Sequence, residues 1–142
     1  MIKLALVAAE FNHDLIEAMI AAARDEASKL PVEIVREVRV PGCYEVPLVV
    51  ASLLARGKIE AAVVLGYIER GETQHGEVMG HVVHRALVDM QLATGKPVGI
   101  GIIGPGATPE QAESRKDGYA RAAVRAVVAS RAALAKLVAK KR

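Results

Sequence analysis

The sequence has no tryptophan, one phenylalanine and three tyrosines in 142 residues. A surface that stacks nucleic-acid bases needs aromatic side chains among its cations, so this scarcity argues against nucleic acid as a partner. It also singles out Phe11. One cysteine, Cys43, excludes an internal disulfide framework and fits a reducing, cytoplasmic compartment. No apolar run approaches the roughly 18 residues that a membrane span requires. The opening MIKLALVAAEF is too short in its apolar part, and too soon acidic, for a secretory signal.

Against these absences, 52% of the residues are apolar and 25% charged, over a length that suits one domain, residues 1–142, with a real core. The net charge of +3 is unevenly spread. Residues 1–114 carry 10 Lys and Arg against 15 Asp and Glu, a balance of −5; residues 115–142 carry 9 against the single acid Asp117, a balance of +8. A basic terminal helix can face nucleic acid or a membrane surface. Without interleaved aromatics it reads better as a solvated helix whose cations complement its own C-terminal dipole or pair with an acidic neighbouring subunit.

Apolar periodicity predicts the order of elements. IKLALVA at 2–8 is a buried strand. Asn12 is a candidate N-cap for a helix through Leu30, with Leu15, Ile16, Met19, Ile20, Ala23 and Ala27 on one face and Pro31 at its end. VEIVREVR at 32–39 alternates as an edge strand does, Pro41-Gly42 turns the chain, and a helix covers 48–54, stopping near Gly57. AAVVLG at 61–66 is a central strand, followed by a polar loop at 67–75. Val78, Val82, Val83, Ala86, Leu87 and Met90 predict one buried face of a helix over 76–93. PVGIGII at 97–103 is the last strand. Thr108-Pro109-Glu110-Gln111 is a helix start with a capping box, and an Ala-rich helix runs on to the C-terminus, with a break expected near Gly118. Strands alternating with helices imply a parallel sheet with right-handed crossovers, hence a flavodoxin-like three-layer α/β/α sandwich with a four-stranded parallel sheet. Ligands of such a sheet bind beyond the carboxyl ends of the strands, here residues 9–12, 40–45, 66–75 and 100–106.

At those ends, GYIERGETQH at 66–75 combines a glycine turn, Thr73 and a helix start, which together make an anion site. His75 at that start suits proton transfer near neutral pH; the plainer alternative is a capping threonine and a surface histidine. His75, His81 and His84 lack a metal-ligand spacing with any Cys or carboxylate, so no metal is expected. Cys43 reads as a small packing residue, since nothing in the sequence pairs it with a base. Residues 99–104 match G-x-G-x-x-G but lie within the last strand, with no following strand, so the glycines mark close backbone approach beside a ligand or a neighbouring subunit. Phe11 is either core or a stacking platform, and Arg115 a surface cation or a phosphate ligand.

Four stretches together resemble the lumazine synthases of riboflavin biosynthesis, most of all their archaeal branch: AEFN at 9–12, VPGCYEVPL at 40–48, LGYIERGETQH at 65–75 and IGPGATPEQAESR at 103–115. The resemblance implies condensation of 5-amino-6-ribitylaminouracil with 3,4-dihydroxy-2-butanone 4-phosphate, without a cofactor. It makes Phe11 the ring that stacks on the pyrimidine. Gly42, Cys43, Tyr44 and Glu45 become the turn that holds the ribityl chain, and Tyr67, Ile68 and Glu69 the segment lining the pyrimidine. Glu72 and Thr73 match the phosphate turn and His75 the proton donor. Ile100 and Arg115 match positions that complete the site from an adjacent subunit, which implies a homo-oligomer, a pentamer or an assembly of pentamers. Gly76 stands where many members have an aromatic, Glu69 where an apolar residue is usual, and Glu72 adds a carboxylate to the phosphate turn. A second family cation aligns with either Ala120 or Arg121. The chain begins directly at the first strand, without the extension that many members add to a neighbour's sheet, so a shell of pentamers is less expected than the pentamer. The rival readings are the sibling archaeal riboflavin synthase and a non-catalytic flavodoxin-like module such as a receiver or flavin carrier.

Overall fold

A computed structural model describes residues 1–139. Among them, strands β1 (Ile2–Ala9), β2 (Val32–Val40), β3 (Ala61–Glu69) and β4 (Val98–Ala107) alternate with helices α1 (His13–Ser28), α2 (Val46–Leu54), α3 (His75–Thr94) and α4 (Pro109–Ala139). A short 3-10 turn, Cys43–Glu45, leads into α2. The sheet order is β2-β1-β3-β4 and every pairing is parallel. β1 and β3 therefore lie at the centre, which is why six consecutive residues of β1 and eight of β3 are buried. β2 lies at the edge and buries only its ends fully.

Side-chain alternation splits the core into two layers. Leu4, Leu6, Val63, Leu65 and Tyr67 pack with α1 and α4. Val7, Val64, Ile68 and Ile102 pack with α2 and α3. This is the flavodoxin-like α/β/α sandwich expected from the sequence.

Several boundaries differ from the periodicity, each for a physical reason. Tyr67–Glu69 continue β3 instead of opening the polar loop, because they pair with a β4 that runs on to Ala107. Asn12 stands before α1, but in a left-handed conformation (φ 66°, ψ 61°) and without a side-chain cap. It turns the chain rather than capping the helix. The first helix stops at Ser28, two residues before Leu30, and α2 begins at Val46, two residues before Leu48. Gly118 does not break α4, since Ala120, Ala123, Val124 and Val127 hold the helix against the core on its C-terminal side. The expected continuation of that helix over residues 140–142 lies outside the described residues. On α3 the buried face carries Gly80, Val83 and Leu87, while Val78 and Val82 are exposed, so the predicted single apolar face is two faces.

The glycines of β4 have a reason within the chain. A Cβ on Gly99 would stand 2.1 Å from the Ala123 carbonyl oxygen, and one on Gly101 would stand 3.3 Å from the Ala123 methyl. They admit α4 onto the sheet, so neither a ligand nor a neighbouring subunit is needed to explain them. The capping box forms as expected: the Gln111 amide donates to Thr108 Oγ1 at 3.3 Å and the Thr108 amide to Gln111 Oε1 at 2.9 Å.

Candidate active site

A cavity of about 530 Å³ opens at the carboxyl ends of β1 and β3, beside the start of α3. Ten of the thirteen site residues expected from the sequence line it: Phe11, Gly42, Cys43, Tyr44, Glu45, Tyr67, Ile68, Glu69, Thr73 and His75. The other three, Glu72, Ile100 and Arg115, do not. Glu72 is exposed on the turn, Ile100 is half-buried on β4 and Arg115 is exposed on α4. Arg70 and Met79 also line the cavity and escaped the sequence reading. Met79 lies four residues after His75 on α3, so helical spacing alone could have placed it on that wall.

Backbone bonds assemble the first wall. The Glu10 amide donates to the Val40 carbonyl at 2.8 Å and the Phe11 amide to the Pro41 carbonyl at 3.1 Å. These knit the end of β1 to the start of the 41–45 turn, so the Phe11 ring lies beside Gly42–Glu45. Phe11 stays 59% exposed at the cavity mouth, an apolar side chain without cover. Cys43 packs under β3, where a Cβ on Gly66 would come 2.8 Å from its sulfur. Burial, with a smaller push from Glu45, raises the Cys43 thiol to about 11. The thiol is therefore protonated at neutral pH and acts as packing, not as a nucleophile.

The second wall is the 70–75 turn. His75 opens α3, its amide donates to Thr73 Oγ1 at 3.3 Å, and its ring stands edge-on to Tyr44 with centroids 6.1 Å apart. Among the described residues, the amides of Gly71, Glu72 and Thr73 make no hydrogen bond. They sit just before the positive end of a 20-residue helix, an arrangement suited to an anion.

Tyr67 lines the cavity and also joins the core. Its ring belongs to the α1–α4 core layer and its hydroxyl donates to the Ala107 carbonyl at 2.9 Å. Burial, with smaller contributions from Glu69 and Glu110, raises its phenol above the usual range. Arg121, the open alternative for a second cation, is held on the α1–α4 face by Asp25 at 2.6 Å, Asp117 at 2.9 Å and Glu26 at 3.3 Å. Among the described residues no three His, Cys, Asp or Glu side chains converge as a metal site. His84 Nδ1 lies 2.7 Å from the Gly80 carbonyl oxygen and His81 lies 3.7 Å from Glu77.

Sequence comparison covers the whole fold. The family model of 6,7-dimethyl-8-ribityllumazine synthase matches residues 1–139. The chain is 44% identical over 127 residues to the 6,7-dimethyl-8-ribityllumazine synthase of Staphylothermus marinus, covering 89% of this chain and 85% of that one. Identity to the enzyme of Metallosphaera sedula is 45% over 127 residues, covering 89% and 84%. For Methanoculleus marisnigri it is 42% over 127 residues, covering 89% and 93%. Such matches, spanning all four strands and the cavity between them, show that the chain belongs to the 6,7-dimethyl-8-ribityllumazine synthase family of riboflavin biosynthesis.

Proposed function

We propose that the cavity beside Phe11 and His75 is where 5-amino-6-ribitylaminouracil condenses with 3,4-dihydroxy-2-butanone 4-phosphate to give 6,7-dimethyl-8-ribityllumazine, releasing phosphate and water. The observation that carries this reading is the convergence of four separate stretches, at 11, 42–45, 67–69 and 73–75, on one cavity. Phe11 stacks on the pyrimidine, whose edge faces the backbone of Tyr67–Glu69. The 42–45 turn and the Glu45 carboxylate take the ribityl hydroxyls. Gly71–Thr73 amides and the Thr73 hydroxyl take the phosphate.

The chemistry needs proton transfers at imine formation, phosphate elimination and ring closure. His75, exposed on the wall between the pyrimidine and phosphate ends, supplies and removes those protons. The leaving phosphate needs fixed positive charge, and the turn amides give part of it. Arg115 gives the rest from an adjacent subunit, as Ile100 closes the pyrimidine end from there. On this reading the whole chain acts as one domain in a cytoplasmic homopentamer or an assembly of pentamers. No helix of the described residues is long and apolar enough to cross a membrane.

The test is lumazine formation by the purified protein from the two substrates, without added metal or nucleotide. Arg115→Ala should weaken binding of the butanone phosphate by about 10–150-fold, the range for losing a charge-assisted contact, and leave the ribitylaminouracil affinity intact. His75→Ala should bind both substrates and lose rate, by up to about 10²–10⁴-fold, with a flattened pH–rate profile; bound water will soften that loss. Copurified flavin without turnover would overturn the reading in favour of a carrier.

A further inference from the structure

We infer that the Tyr67 hydroxyl is a positioning group for the phosphate turn, acting through the Ala107 carbonyl and not by touching substrate. This rests on the reading of residues 71–73 as the phosphate turn.

Strand alternation sends Ile68 to the cavity side of β3 and Tyr67 to the opposite side. There the tyrosine ring lines a separate cavity of about 360 Å³ between the starts of α1 and α4. Tyr67 is 4% exposed, and a buried phenol needs a partner. Its partner, the Ala107 carbonyl at 2.9 Å, also accepts the Arg70 amide at 2.9 Å. One oxygen thus receives the hydroxyl from within β3 and the first amide beyond it.

The place where this happens is not ordinary ladder. Tyr67 pairs with Ile103, but Glu69 pairs with Ala107, so two steps along β3 face four along β4. The surplus forms a hump at 104–106. Gly104 and Gly106 both take positive φ (94° and 89°), and a Cβ on Gly104 would strike the Ile68 carbonyl oxygen at 2.3 Å. Across the hump, a Cβ on Gly80 would meet the Pro105 ring at 2.6 Å, so α3 is packed directly against it. Regular pairing is interrupted here, and Arg70 is the last residue before the turn whose amide is bonded. The direction in which residues 71–73 leave the sheet is therefore set at Ala107.

Ala107 has a second attachment. The next residue, Thr108, forms the capping box that starts α4, the helix that carries Arg115. Tyr67 thereby locks the turn of its own cavity to the segment that leads to Arg115. The hydroxyl is separable from the ring: phenylalanine fills the same space, and the Ala107 carbonyl keeps the Arg70 amide.

The experiment is Tyr67→Phe in the full-length assembled protein, with binding of inorganic phosphate and steady-state constants for both substrates. We expect an intact fold, an unchanged affinity for the ribitylaminouracil, and a rise of about 3–10-fold in the phosphate dissociation constant and in KM for the butanone phosphate, the size of one neutral hydrogen bond. Val32→Ala, in the core at the far end of the sheet, should lower thermal stability without moving either KM, which separates positioning from general loosening. An active wild type with a Tyr67→Phe variant of unaltered phosphate affinity, or of equal loss for both substrates, overturns this inference alone. A wild type that forms no lumazine overturns the reading of the site itself.

Discussion

The two helical layers of the sandwich are finished in different ways. On the α1–α4 side several charged groups find partners within the chain. Arg24 grips Glu37 with two hydrogen bonds of 2.6 and 2.5 Å, Arg121 joins Asp25, Glu26 and Asp117, and Arg125 reaches Glu26 at 3.0 Å. Small residues, Ala23 on α1 and Ala120 and Ala123 on α4, let these helices sit close to the sheet. On the α2–α3 side apolar side chains stand bare among α3's own charged pairs: Leu48 and Leu92 are each 79% exposed, and Val78 and Val82 each 53%; α4 bares Leu137 (61%) and Val138 (60%) near its C-terminal end. Exposed apolar side chains grouped along one helix fit a surface covered by a partner. The cavity opens on this same side, against Cys43, Ile68 and Met79. The bare apolar layer and the candidate site therefore lie on the same side of the sheet, which agrees with the proposal that an adjacent subunit completes the site.

The largest expected effect breaks this comparison on its apolar side. Val82→Asp places a charge in the α3 stripe, where it would be buried without a partner in any covered assembly. We expect monomers by light scattering and no measurable lumazine formation, with the far-ultraviolet dichroism of the folded chain retained. The mirror variant on the other layer, Arg24→Ala, should leave both mass and activity unchanged. A Val82→Asp protein with wild-type mass would show that α3 faces solvent and that the difference between the layers has another origin.

Much of this organisation was legible in the sequence because it is local. Apolar runs marked β1 and β3 as central, alternation marked β2 as an edge, and the Thr108–Gln111 box specified its own hydrogen bonds. The strand ends marked where the cavity should lie, because a parallel sheet puts its ligands there, and the resemblance to the family's motifs then named most of its residues. What was not legible depends on contacts distant in sequence. Tyr67–Glu69 looked like polar loop because their strand character comes from pairing with residues 103–107. Val78 and Val82 looked like core because periodicity counts apolar residues on a helix without saying which arc meets the sheet. The β4 glycines suggested a ligand or a neighbour because nothing nearby reveals that Ala123 lies against them. Asn12 looked like a cap because its residue type favours caps, yet its small polar side chain also tolerates the left-handed turn that it makes.

A second effect tests how the cavity side keeps an ionisable group unpaired. Cys43 is raised to about 11 by burial, so folding favours its neutral thiol. An unfolded thiol ionises near about 8.5. The stability contributed by this group is thus complete below about pH 8.5 and is lost as pH rises towards 11, up to about 2–3 kcal/mol at 1.36 kcal/mol per unit. Urea unfolding at pH 7 and pH 10.5 should show a larger alkaline loss for wild type than for Cys43→Ala, which lacks the titration. Equal losses in both would mean that the thiol ionises in place, and that the cavity floor is wetter than its burial implies.

The smallest effect belongs to the paired layer, and its sign runs the other way. Asp25 is held below the usual carboxylate range chiefly by the Arg121 hydrogen bond, then by Lys29; Glu26 is held low chiefly by Arg125. Carboxylates lowered in this way stabilise the fold above their unfolded range and lose that contribution as pH falls through their folded values, below about pH 4. Arg121→Ala removes the main partner of Asp25 but leaves Glu26 its own, so acid sensitivity should fall only in part. Replacing Arg121 and Arg125 together should remove most of it. Because Asp25 and Arg125 are about half exposed, the change in Tm at neutral pH should be slight and should shrink further as salt is raised. Lumazine formation should be untouched, since Arg121 is held on α1 and not at the cavity. If Arg121→Ala instead weakened binding of the butanone phosphate while Tm stayed constant, the arginine would belong to a neighbour's phosphate site, and the α1–α4 layer would not be finished within its own chain.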